Sequence, residues 1–161
     1  MKRTLGTFVA FALLALIAVP FAYGDEQTRE SYKAQVEPIC AANRSVNERL
    51  MSGARQRLNR GKLKPVGKQF IRLSRSFGDL IRKLAKVPPP TTDVHRIERW
   101  LEILTLLKTR LRLVGKYYGE GLKIKGTHEG ILAERAGLSA NNTTIVLHFH
   151  DCRLGRFNGS S

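Results

Sequence analysis

A chain of 161 residues, 42% of them apolar and 25% charged, holds enough apolar material for one packed domain, so disorder is not its default state. Lys and Arg number 28 against 13 Asp and Glu, a net charge of +15 that favours association with polyanions. No GxSxG, P-loop or HExxH run occurs, and with them go the hydrolases, nucleotide-binding proteins and metalloproteases that those motifs mark.

The first 24 residues stand apart from the domain. Lys2 and Arg3 precede an apolar run from Leu5 to Phe21, and Ala22-Tyr23-Gly24 supplies the small-x-small ending of a secretory signal peptide. Cleavage after Gly24 starts the mature chain at Asp25 and removes two cations and no anion, so the exported protein stays strongly basic. The alternative is an uncleaved N-terminal anchor, because the run nearly suffices to span a bilayer. No cysteine sits at its end, which excludes lipid attachment there.

A single domain is expected over residues 25–157, then a disordered end, 158–161. Helix one is predicted from near Glu26 to Asn59 on Tyr32, Val36, Ile39, Val46 and Leu50, with Cys40, Ala54 and Leu58 beside them. Pro38 removes a hydrogen bond and crowds the preceding turn, so a helix start or a kink is expected near Glu37. Asn43 falls on the apolar line and needs a partner there. Arg60-Gly61-Lys62 reads as a turn with Gly61 as a helix C-cap. Helix two runs from Leu63 to Lys86 with apolar residues three and four apart, from Leu63, Val66 and Phe70 through Leu84 and Val87. Off that line lie Arg72, Arg75, Arg82, Lys83 and Lys86, the candidate polyanion-binding residues, and Lys68 lies with them.

Val87-Pro88-Pro89-Pro90 cannot continue a helix and reads as a stiff loop, with Thr92 or Asp93 capping helix three. From Asp93 to Tyr118 the seven large apolar residues Ile97, Trp100, Leu104, Leu107, Leu111, Val114 and Tyr118 repeat three, four, three, four, a continuous stripe around which the other helices are organised. Gly119 to Gly130 carries four glycines in twelve residues and reads as loop or frayed helix. A shorter fourth helix is expected from Thr127 to about Leu147, facing inward with Ala133, Ala136, Gly137, Ala140 and Thr144. Beyond it an extended tail is expected, since Thr143 to His150 is rich in β-branched residues. The fold class is therefore all-α: an antiparallel four-helix bundle, the last helix short or irregular, with an extended C-terminal tail.

Cys40 and Cys152 are the only cysteines, and in an exported chain they allow one intramolecular bridge, tying the tail to helix one. Two free thiols are the alternative. Tyr32 to Cys40 with Ala42-Asn43, Gly61 to Pro65, Val87 to Pro90, Ala140 to Asn142, and Phe149 to Arg153 with Phe157 together resemble a group of small exported actinobacterial proteins of unknown function. The resemblance implies a helical bundle with a disulfide joining its N-terminal and C-terminal parts, and implies no activity.

Other clusters bear on chemistry. His148-x-His150 with Asp151 would aim two imidazoles the same way from an extended strand, the beginning of a metal site, although two ligands do not make one. His95, Glu98 and Glu102 share a helix face, where Arg96 and Arg99 make ion pairing the simpler reading. The sequence thus points to no catalytic residue, metal or cofactor. It points to a secreted or cell-envelope protein, a non-catalytic binding or structural module with a basic helical surface, whose partner class is an anionic cell-wall polymer or lipid surface rather than a specific nucleic acid. Alternatives are a dedicated polyanion or membrane-surface binder and an enzyme without a recognisable motif.

Overall fold

The computed structural model describes residues 27–155. The signal peptide over residues 1–24, Phe157 and the 158–161 end lie outside them. The described residues are helical without a strand: α1 (Arg29–Met51), the short α2 (Ala54–Asn59), α3 (Leu63–Leu84), α4 (Val94–Gly119) and α5 (Lys123–Val146). Helix α4 packs on both α3 and α5, and α1 packs on α3.

Helix α1 starts at Arg29, its N-cap Thr28 accepting from the Ser31 amide at 3.1 Å. It passes through Pro38 unbroken, contrary to the start or kink expected near Glu37. Pro38 lies on the exposed side, where water can solvate the Ala34 carbonyl it leaves unbonded. On the opposite side Tyr32, Val36 and Cys40 are buried, so the core holds both halves in line. The single helix expected to reach Asn59 is in fact two, broken at Ser52-Gly53, where Gly53 has φ +67°. Gln69 on α3 secures that corner by donating to the Leu50 and Ser52 carbonyls at 2.8 and 3.1 Å. Past Cys40 the inward line is polar: Asn43 donates to the Ser76 hydroxyl at 2.8 Å and accepts from Asn47 at 2.7 Å, while Val46 is 36% exposed.

All seven stripe residues of α4 are buried, as are the small residues expected to face inward from α5. Where α3 meets α4, Gly67 and Gly115 leave no room for a side chain. A Cβ on Gly67 would sit 2.6 Å from the Gly119 nitrogen and 2.7 Å from the Gly115 carbonyl. Farther along, the Ser74 hydroxyl donates to the Lys108 carbonyl at 3.0 Å.

The glycine-rich stretch is the largest departure. Helix α5 begins at Lys123, so only Glu120 to Leu122 separate it from α4, and it is as long as its neighbours rather than short. Gly126 is helical because it lies against the Tyr118 ring, where a Cβ would collide with Cδ1 and Cε1. The Tyr118 hydroxyl reaches Thr127 at 3.2 Å, and Arg110 donates to Glu129 at 3.0 Å. Close packing recovers what glycine loses in helix propensity, about 1 kcal/mol per residue.

The tail is not extended. Helix α5 ends in a left-handed cap at His148, φ +56°, with the His148 amide bonded to the Ile145 carbonyl and that of Phe149 to the Thr144 carbonyl at 3.1 and 2.8 Å. The chain thereby turns back and buries Phe149 between Trp100 and Tyr32, ring centroids 5.6 and 6.0 Å away. Cys152 is bonded to Cys40, their Cα atoms 4.8 Å apart. Two further clamps hold the tail. The Glu37 carboxylate accepts from the His150 and Asp151 amides, each at 2.5 Å, and the Asn141 side chain exchanges two bonds with the Leu154 backbone at 2.7 and 2.9 Å.

Candidate functional site

The outer face of α3 concentrates the positive charge. At 100° per residue, Lys64, Lys68, Arg72, Arg75, Arg82 and Lys83 fall within an arc of about 100°, opposite the buried Leu73, Phe77 and Leu84, and Lys86 follows them in the turn after the helix. The five cations singled out from the sequence are all exposed, and Lys64 and Lys68 extend their line toward the start of the helix. At 1.5 Å per residue the stripe is roughly 33 Å long. Asp79 is the one acid within it, and Arg82 bonds its carboxylate. The aliphatic part of Lys108 on α4 borders the same surface, 3.6 Å from where a Gly78 side chain would begin. The apolar stripe produces this arrangement: it leaves one long side of α3 outside the bundle, and six of the polar positions there are cationic.

Compared with protein-family models, curated proteins and solved structures, the chain matches none.

A second feature is a cleft of about 970 Å³ beside the disulfide, between the second half of α1, α2 and the tail. Leu73, Phe77, Leu80 and Leu104 form its floor, and Asn43, Arg44, Asn47, Asp151 and Arg153 are among its polar walls. Those polar groups mostly serve the fold. Arg44 donates to the His150 and Asp151 carbonyls at 3.1 and 2.7 Å, and its guanidinium lies 3.4 Å from the Asp151 carboxylate.

The other sequence candidates do not assemble. His148 occupies a left-handed helix cap and His150 is in a turn, so the alternation of a strand that would have aimed both imidazoles one way is missing. Cys152 is oxidised, and among the described residues no three His, Cys, Asp or Glu side chains are grouped to hold a metal. His95 is fully exposed 3.4 Å from Glu98, while Glu102 pairs with Arg99 at 2.9 Å: these are solvated surface contacts.

One ionic site is invisible in the sequence, which marks Asp93 only as a helix cap. Its buried carboxylate accepts from Arg29 at 2.7 and 2.9 Å and from Arg96 at 2.8 Å, and caps no amide of α4. The Arg29 hydrogen bond holds its carboxyl below the usual range against the opposing effect of burial. In turn Asp93 raises the Arg29 guanidinium. The i, i+3 spacing of Asp93 and Arg96 is a local signal, but Arg29 lies 64 residues away and only the fold brings it in. This triad joins α1 to the start of α4. Its burial and closed geometry make it a structural joint.

Proposed function

We propose that the protein is an exported, non-catalytic binding module of the cell envelope whose α3 stripe docks on an anionic polymer or an anionic membrane surface. The observation that carries this reading is the stripe itself: six cations on one side of α3 and a seventh, Lys86, in the turn that follows it, with a single acid among them already paired. Such a row matches a repeating line of phosphates or carboxylates better than a compact ligand. The disulfide suits an oxidising compartment outside the cytoplasm, and the basic, apolar and small-x-small segments of residues 1–24 supply a route there. Among the described residues no helix is long and apolar enough to cross a membrane. In this reading the four long helices form an antiparallel bundle, supported by contacts that pair early α3 with late α4 and late α4 with early α5. The resemblance to small exported actinobacterial proteins of unknown function fits the same picture.

The test is retention on an anionic polymer column and on vesicles rich in anionic lipid. Binding at about 50 mM salt that is lost by several hundred millimolar supports the reading, and absence of retention at 50 mM refutes it.

A second reading rests on the cleft, whose apolar floor and polar walls suit one small amphiphile. It is supported if an environment-sensitive dye brightens with the native protein and does not brighten with Met51→Glu, a change at a half-buried residue of the cleft lining, made in a protein with unchanged circular dichroism. The enzyme alternative gains concavity from that cleft, but Asn43 is engaged with Ser76, the Asn47 side-chain nitrogen with Asn43, and Arg44 with the tail backbone, rather than turned to a common point.

A further inference from the structure

On the outer side of α5, four large apolar residues stand in solvent at intervals of seven: Ile124, Ile131, Leu138 and Ile145, exposed by 86%, 49%, 55% and 53%. They oppose the buried line of Ala133, Ala136, Ala140 and Thr144, so the bundle makes no use of them. A seven-residue repeat is the spacing that keeps an apolar seam turned toward a second helix in a left-handed pair. We propose that this stripe is the seam of an antiparallel homodimer, α5 against α5 of a second copy.

Three observations choose a second copy over other occupants. First, the stripe is self-complementary about its midpoint. A two-fold axis between Glu134 and Arg135 sets Ile124 opposite the partner's Ile145 and Ile131 opposite the partner's Leu138, and brings the acid at 134 toward the partner's Arg135. Second, α5 is the least charged side of a basic molecule. Over Lys123–Val146 it carries Lys123, Lys125 and Arg135 against Glu129 and Glu134, three cations against two acids, so two copies meet there with little repulsion. That balance also argues against an anionic membrane, since a helix lying on one carries a row of Lys or Arg beside its apolar face. Third, four side chains at these exposures offer on the order of 400–500 Å² per copy, or roughly 1,000 Å² in all, the low end of specific interfaces, which fits a dimer of micromolar strength. Helix α3 packs on α1, α2 and α4, so the pairing leaves both basic stripes free on one assembly and adds avidity toward a long polyanion.

The experiment is sedimentation velocity from about 1 to 500 μM, on the protein and on the double variant Ile131→Glu, Leu138→Glu. The protein should pass from monomer to dimer across that range. The variant should stay monomeric with unchanged circular dichroism, because both positions are exposed. Orientation is read by a short thiol cross-linker: a mixture of Ile124→Cys and Ile145→Cys proteins should link, and neither alone. A monomer throughout, an unaffected dimer in the double variant, linking of each single variant to itself, or a monomer that instead binds uncharged vesicles through the stripe would each overturn the proposal.

Discussion

The contact between Gly67 and Gly115 sets how closely α3 and α4 approach, and replacing Gly67 by Ala tests it. The new methyl group would lie 2.6 and 2.7 Å from backbone atoms of Gly119 and Gly115, which cannot rotate away as a side chain can. The helices must separate locally, and overpacking of this kind costs about 1–3 kcal/mol, with more expected here because backbone rather than side chain is displaced. Alanine returns about 1 kcal/mol of helix propensity, so a net loss of about 2 kcal/mol remains. At roughly 4 °C per kcal/mol for a domain of this size, the melting midpoint falls by about 8 °C. Gly130→Ala is the matched control. It lies inside α5 with nothing within 4 Å of the added methyl, so it should raise the midpoint by about 2–4 °C. Thermal melts monitored by circular dichroism give both values. Gly67→Ala at or above the wild-type midpoint, or the two variants moving in the same direction, would refute the reasoning.

Other outcomes rest on the joints of the fold. Because the bridge closes a separation of 112 residues, reduction or Cys152→Ser should cost about 5 kcal/mol and lower the midpoint by roughly 20 °C, yet Glu37 and Asn141 should keep the tail protected from hydrogen exchange at 25 °C. Tyr32 buries a hydroxyl without a partner, and burial raises it from 10.0 to about 12. The neutral form is thus favoured by folding, stability is in full below pH 10 and falls as pH rises toward 12, and Tyr32→Phe should melt no lower than wild type while losing that alkaline limb. The Asp93 carboxyl is held below its ordinary 3.8, so its contribution is complete above about pH 4 and is lost as pH falls through the lowered value; in Asp93→Asn the acid limb of a stability profile should shrink. Arg29→Ala should lower the midpoint by several degrees, with Arg96 retaining part of the joint.

Helices α3 and α4 are legible in the sequence because their stripes are long, regular and made of large residues, and every large residue of the α4 stripe is buried. The bridge is legible because two cysteines allow one pairing. The features that stay hidden depend on contacts distant in sequence. Gly126 reads as a helix breaker until the Tyr118 ring that requires it is placed beside it, and Pro38 reads as a break until its exposed position is known. The tail's alternation suggests a strand, but the left-handed cap at His148 turns it, and a histidine there carries none of the signal a glycine would. Of the candidate site, the cations of α3 are given by periodicity. The exposed heptad of α5 lies in plain sequence too, but small inward residues draw attention from it, and only burial shows which side is left over.

The central claim is that the α3 stripe, rather than net charge, binds a polyanion. It is tested most directly by comparing two variants of equal charge: Arg72→Gln, Arg75→Gln, Lys83→Gln on the stripe, and Arg49→Gln, Lys123→Gln, Arg153→Gln at exposed positions off it. Near an anionic surface each cation contributes about 1 kcal/mol, so the stripe variant should lose about 100-fold in affinity for an anionic polymer or vesicle at low salt, and the control less than about threefold. Equal losses in the two variants would contradict the account.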